Sequence, residues 1–307
     1  MAYNFNVKCF GGIKMFKLTC CSTVDLTNEY LEKNDVDYIS FKYMINNVDY
    51  YDDMCKSVSA NDFFKQIENG AEPVTSQVNS ERYIEFWEPY LKNGKDVLHI
   101  TLSSGLSGSY NSAMLAKKYL DEKYPDRKLL VVDSLGASSG SGLLVKYLID
   151  MRDSNKTIDE CYDWAENNKL NIHYWFISTD LTSFRRGGRI SSTSFFLGQL
   201  LKICPLMNVD QNGKLIPRKK IRTKEKAIIE LVNMMEEHAH EGILYKGKCC
   251  ICHSARLDDA KKVKKLVEDK FINLKDKIEI YDIGTVIGSH TGPGTIALFF
   301  VGDRRID

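Results

Sequence analysis

Strand-like apolar runs and helix-like segments alternate along most of this chain, and that alternation restricts its fold more than any other feature. Strands separated by helices cannot pair through short hairpins, so the pattern implies an α/β protein with a largely parallel sheet. Runs of strand composition lie at 15–21, 38–45, 97–103, 129–133, 172–179, 204–209, 214–221, 248–253 and 277–284. Ser59 with Asp62 and Thr157 with Glu160 have capping-box spacing and mark helix starts, while Gly70 and Gly94 mark stops. The stretch "DQNGK" (210–214) fits a tight hairpin, so at least one antiparallel pair interrupts the scheme. With 307 residues the chain has length for two domains, and the polar stretch "MRDSNKT" (151–157) places their boundary, giving 1–152 and 153–307.

Charge narrows the class of partner. Lys plus Arg number 42 against 41 Asp plus Glu, a net charge of +1, so no global basic field points to nucleic acid or an anionic membrane. No run of about 18 uncharged apolar residues and no small-residue cleavage site is found, so a cytoplasmic protein without stable membrane insertion is expected. Nine cysteines is an odd number, and several sit in strand-like runs such as "LTCCS" and "CCICHS". Reduced, buried thiols suit that pattern better than a disulfide framework.

The chemistry concentrates in a few loops. "TLSSGLSGSYNSA" (101–113) joins a strand to a helix N-terminus, where unpaired N–H groups and the helix dipole favour an anion. "PVTSQ" (73–77) and "DSLGASSGSG" (133–142) are similar; each alone reads as a helix cap, and the three together suggest a shared anion pocket. There is no G-x-G-x-x-G or Walker lysine, and "GLSGS" does not match the G-x-S-x-G elbow of serine hydrolases. "FRRGGRISS" (184–192) reads as a solvated turn or as a guanidinium site for phosphate or carboxylate, with Arg222 a second cation for the same work. The apolar segment 191–207 is expected to be core helix and strand, able also to line a pocket for a hydrophobic tail. His290, in "IGSHTGPGT", sits in a loop fixed by Gly and Pro and has the reach to bond a carboxylate. "CCICH" has the spacing of a haem attachment site at Cys249, Cys252 and His253, but its alternation is that of a buried strand, and neither an export signal nor further zinc ligands accompany it.

Taken in order, "STVDL" (22–26), "PVTSQ" (73–77), "LSSGLSGSYNSA" (102–113), "VVDSLGASSGSGLLV" (131–145), "FRRGGRIS" (184–191), "IRTKEKA" (221–227) and "GSHTGPGTIALFF" (288–300) resemble the DegV family of bacterial fatty-acid-binding proteins over nearly the whole chain. The resemblance implies two α/β domains, the first with a mostly parallel sheet and the second with a mixed one, and a lipid tunnel between them. It implies a non-catalytic, lipid-presenting subunit of a fatty acid kinase, with no cofactor or metal of its own. A dihydroxyacetone-kinase-like partner would phosphorylate the bound carboxylate, and the acyl phosphate would enter phospholipid synthesis. Carried onto this chain, the resemblance implies that Thr75, Ser76, Ser104, Gly105, Ser107 and His290 hold the carboxylate. Arg189 and Arg222 would lie near the transferred phosphate or the kinase. Where the family commonly reads Thr-Asp-Ser, this chain has Cys20-Cys21-Ser22, a thiol in place of a carboxylate.

Elementary energetics agree with a lipid ligand. Burying a methylene is worth about 0.8 kcal/mol, so about fourteen of them would give roughly 11 kcal/mol before the costs of binding. The alternatives from other classes are a hydrolase or acyltransferase with Ser104 or Ser107 as nucleophile, and a lipid store or sensor that serves no kinase.

Overall fold

The computed structural model describes residues 16–190 and 203–306, which form three sheets. The first is wholly parallel, in the order β2 (Val36–Ile39), β1 (Phe16–Cys21), β6 (Asp96–Thr101), β7 (Leu129–Asp133). Chain direction across this sheet reverses between β1 and β6, and a crevice opens at the carboxyl ends of strands at such a switch point. A small antiparallel sheet follows, with β3 (Lys42–Ile45) between β4 (Val48–Tyr51) and β5 (Val74–Ser76).

The single strand expected over 38–45 is therefore corrected to two strands in different sheets. Ile39, Phe41, Tyr43 and Ile45 are all buried and keep one alternation through the bend, so the pattern reads as continuous. The break is made by tertiary contact: Phe41 N–H leaves both ladders and donates to Ser22 Oγ at 3.2 Å.

The third sheet is mixed, in the order β10 (Leu215–Lys219), β9 (Leu206–Val209), β8 (Ile172–Ser178), β13 (Thr295–Val301), β11 (Cys250–His253), β12 (Glu279–Asp282). Only β11 and β12 run parallel; the hairpin at 210–214 joins β9 to β10 antiparallel, with Asp210 Oδ1 accepting from Asn212 and Lys214 N–H. The sequence patterning had not marked β13. Its run "TIALFFV" is apolar throughout because it is a central strand covered on both faces.

Alternation along this sheet supplies two different layers. Trp175, Ile177, Ile251, Leu298 and Phe300 pack against α8 (Lys224–His238) and α9 (Leu257–Lys270) in one core. Tyr174, Phe176, Cys252, Ala297 and Phe299 belong instead to the core shared with the first sheet. Between the two sheets lies α5 (Ser138–Asp153), with 14 of its 16 residues buried and contacts to β1, β8, β11 and β13. Its two buried cations are both satisfied: Lys146 pairs with Glu279, and Arg152 donates to the Asp35 carbonyl at 3.1 Å. Near the C-terminus, buried Arg305 ties the β9–β10 turn to the loop after β7, donating to the carbonyls of Val209, Asp210 and Leu135.

Both anticipated helix caps form, Ser59 before α2 (Ala60–Glu68) and the reciprocal Thr157–Glu160 box before α6 (Ile158–Asn168). Most of the apolar segment expected over 191–207, its residues 191–202, lies outside the described residues. Among the described residues no helix is long and apolar enough to cross a membrane.

Helix α5 needs glycine where it is pinched. A Cβ at Gly142 would lie 2.6 Å from the Val24 carbonyl oxygen and 2.9 Å from the Leu26 side chain. Helix propensity alone would make Gly142→Ala stabilising by about 1 kcal/mol. Packing reverses that sign, and we expect a loss of about 1–3 kcal/mol in urea unfolding; a gain in stability would show that the clamp on α5 is loose.

Candidate ligand site

A cavity of about 330 Å³ lies at the carboxyl ends of the first sheet, between it and the inner face of the third. Its body is apolar, with Phe41, Phe176, Val286, Ala297 and Phe299 among its walls. Two long helices begin at its edge: Ser107 and Gly108 precede α4 (Ser109–Lys123), and Ala137 and Ser138 open α5. Both N-termini favour negative charge.

One end is polar. Thr75 and Ser76 come from β5, and His290 comes from α10 (Thr285–Thr291). Thr75 Oγ1 lies 2.8 Å from His290 Nε2, a bond between residues 215 apart in sequence. His290 Nδ1 is buried without a hydrogen-bond partner among the described residues and faces Gly187, whose added Cβ would lie 2.5 Å away. Burial, then the charges of Arg189 and Arg186, push the His290 pKa down to about 4. The imidazole is therefore neutral at pH 7, and it orients the Thr75 hydroxyl without adding charge. Arg189 is the one cationic side chain among the described lining residues; it is exposed and donates to the Gly187 and Leu106 carbonyls.

The structure gathers Thr75, Ser76, Ser107, His290 and Arg189 around the cavity. Ser104, Gly105 and Arg222 do not line it. Ser104 is exposed, its N–H donating to Asp133 Oδ1, and Arg222 is exposed before α8. Gly105 packs on the β9–β10 turn, where a Cβ would meet the Asn212 carbonyl at 2.5 Å. The buried serine of this loop is Ser103, bonded to the Gly213 carbonyl at 2.9 Å. Ser107 Oγ accepts from Ser109 N–H and lies 3.0 Å from Ser109 Oγ, with no imidazole bonded to it. Cys21 lies outside the lining, between Tyr83 (3.6 Å) and His99 (3.7 Å), and burial pushes its thiol up to about 11.

Sequence reasoning missed a carboxylate pair behind the cavity. Asp25 accepts from Ser138 Oγ and from Gly284 N–H, and Asp52 accepts from Thr285 Oγ1 at 3.1 Å, so both hold the start of α10. Burial pushes Asp25 well above the usual carboxylate range and Asp52 up to about 6. The signal for Ser138 was legible: residues 136–140 read Gly-Ala-Ser-Ser-Gly, a G-x-S-x-G between strand and helix, and Ser138 has φ +56°. Its hydroxyl, however, donates to Asp25 and contacts Cys252 Sγ at 3.2 Å; no histidine joins it.

Among the described residues one cluster has the composition of a metal site, His173, His238 and Asp303, on the far side of the third sheet. Trp175 Nε1–H donates to His173 Nδ1, so the proton of the neutral ring sits on Nε2, 2.9 Å from the Asp303 carboxylate. A metal at Nε2 would need the proton moved to Nδ1, against the Trp175 donor. The arrangement fits a hydrogen-bonded relay better than a coordination sphere.

Comparison with known proteins places these features in a family. The family model described as an uncharacterised protein of the DegV family matches residues 15–303. A DegV domain-containing protein of Clostridium perfringens is 37% identical over 296 residues, covering 95% of this chain and 99% of its own. Among solved structures, a Thermotoga maritima protein described as revealing fatty acid binding function is 27% identical, with a TM-score of 0.79 over 94% of this chain and 100% of its own. DegV of Bacillus subtilis, described as a fatty acid binding protein, is 25% identical, with a TM-score of 0.78 over 95% of this chain and 100% of its own.

The Asp52 carboxyl carries a stability consequence with a definite sign. Its native pKa of about 6 lies above the ordinary 3.8, so between these values the native state binds more protons than the unfolded chain. Stability from this group is present below that window and lost as pH rises through it. Asp52→Asn removes the loss, so the variant's stability relative to the parent should rise by roughly 3 kcal/mol between pH 4 and pH 7. Parallel stability curves for the two proteins would contradict the assignment.

Proposed function

Because the chain belongs to the DegV family, we propose that it binds a long-chain fatty acid and presents the carboxylate to a separate ATP-dependent kinase. The observation that carries this reading is the cavity's division into an apolar body and one polar end made of hydroxyls, a neutral imidazole and helix N-termini. An acyl chain gains by leaving water, and its carboxylate must then find hydrogen bonds. We assign the carboxylate to Thr75, Ser76 and Ser107, with His290 holding the Thr75 hydroxyl in place. The seam would separate units 1–152 and 153–307, so the ligand touches both.

Several features favour presentation over catalysis. Ser107 lacks a base, and Ser138 has a carboxyl as its hydrogen-bond partner, so neither forms the nucleophile–imidazole pair of a hydrolase. Phosphoryl transfer needs a metal-held triphosphate, for which the sequence has no Walker or Gly-rich fingerprint. Arg189, exposed beside the polar end, would offset charge on a transferred phosphate, and we keep Arg222 as a contact for the kinase surface. We place the protein in the cytoplasm, where the eight described cysteines, all unpaired, would stay reduced.

Thr75→Val should weaken fatty acid binding by about tenfold, the worth of one hydrogen bond to a charged group, in a displacement titration with a fluorescent acid. Filling the body with Ala297→Trp should abolish binding while leaving the fold intact by circular dichroism. Unaltered affinity in both variants would place the lipid elsewhere. In a reconstituted kinase assay, His290→Ala should slow acyl phosphate formation more than it lowers lipid retention, and an unchanged rate would remove His290 from the site.

A further inference from the structure

A second crevice lies outside the acyl cavity, at the β11–α9–β12 unit. Because β11 and β12 are parallel, their carboxyl ends and the start of α9 meet at one edge of the third sheet. The crevice has a volume of about 700 Å³ and shares no lining residue with the acyl cavity. Its residues come from five elements besides the β11–α9 loop: Asn61 from α2, Lys224 from α8, His253 from β11, Lys262 from α9 and Asp282 from β12.

His253 lines it, 5% exposed, with Nδ1 buried and without a hydrogen-bond partner among the described residues. The nearest charged group is Asp282 Oδ1 at 3.5 Å. A buried imidazole nitrogen left unbonded carries a desolvation cost that a ligand atom can recover. Helix α9 starts beside it with Arg256 at the N-cap and no side-chain cap, so its first-turn N–H groups are not satisfied by a capping hydroxyl or carboxylate.

Charge decides which ligand suits the place. Arg256, Lys224 and Lys262 bring three cations, and Asp258, Asp259 and Asp282 three carboxylates. The carboxylates are not equivalent. Asp259 is neutralised by Lys224 at 2.7 Å and Lys262 at 3.0 Å, while Asp258 and Asp282 are exposed at the rim. Asp259 and His253 are buried while Lys262 is exposed with Asp258 and Asp282, so the groups left for a ligand are His253 Nδ1 and the first-turn N–H groups of α9. With no net charge to draw a ligand from afar, recognition rests on hydrogen bonds within the crevice.

We propose that this crevice binds a phosphate-type oxyanion, as a phosphate monoester or as free inorganic phosphate, with His253 Nδ1 and the α9 N-terminus as its donors and Lys224 and Lys262 beside them. The site is independent of the lipid reading. Its occupant would touch α2 on one side and the third sheet on the other, bridging the two halves of the chain.

The test is a titration of the full chain, with ¹⁵N-labelled histidine, by inorganic phosphate and separately by phenyl phosphate at constant ionic strength. The His253 ring resonance, one of six histidines, should shift saturably, and His253→Gln should weaken binding by about tenfold or more, as expected for one hydrogen bond to a charged group. Lys262→Gln, at a largely exposed side chain, should weaken it as well and keeps the test sound if the His253 variant folds poorly. Tighter binding of phenyl phosphate identifies a monoester site, and tighter binding of inorganic phosphate a free-anion site; either supports the proposal. No saturable shift, the same shift with chloride alone, or unaltered affinity in both variants would overturn it.

Discussion

Helix α5 is held between two sheets, and the site depends on that clamp. One side meets β1 and the loop after it, the other meets β8, β11 and β13, so the helix cannot move without opening both cores. Gly140 and Gly142 permit the approach, the first against Tyr174 and Phe299, the second against Val24 and Leu26. Interiors packed at this density transmit strain and do not absorb it. The consequence is that the N-terminus of α5, with Ser138, is fixed at the cavity edge.

Under the proposed reading the polar end obeys a second constraint: a carboxylate bound there would be held without a buried permanent charge beside it. An unpaired buried cation would cost several kcal/mol whenever the site held no anion. Hydroxyls, helix N-termini and a neutral imidazole avoid that cost, because each is also tolerable alone. His290 illustrates the arrangement. Its ring, on α10, reaches Thr75 on β5, and Gly187 makes room for it in the Arg-Gly-Gly-Arg turn. Behind it, Asp25 and Asp52 grip the start of α10 by accepting from Gly284 N–H and Thr285 Oγ1, and burial raises both carboxyl groups above the usual carboxylate range.

Much of this was legible in the sequence, for identifiable reasons. Strand–helix alternation is local, and it gave the parallel first sheet; "DQNGK" gave the hairpin because turn chemistry is local too. The serine loops and His290 could be named from residue type, since few side chains can bond a carboxylate. What failed depends on distant contacts. The bend at Phe41 leaves the alternation in phase, so no pattern separates β2 from β3. Ser103 and Ser104 are adjacent hydroxyls, and only the β9–β10 turn decides that the first is buried and the second exposed. Gly105, which the resemblance assigns to the carboxylate, instead accommodates Asn212, and Gly187 accommodates His290. Asp52 lies in an ordinary acidic loop, and its role appears only when Thr285 arrives from the other end of the chain.

In the proposed function the cavity between the sheets holds an acyl chain with its carboxylate at the Thr75–His290 end. Denaturing extraction of the purified protein, followed by mass spectrometry of the organic phase against a control protein from the same cells, tests it most directly. One long-chain fatty acid per protein molecule, absent from the control, is the expected result. No enriched lipid, together with refusal of added fatty acids, would contradict it and would mean that this scaffold holds a different ligand.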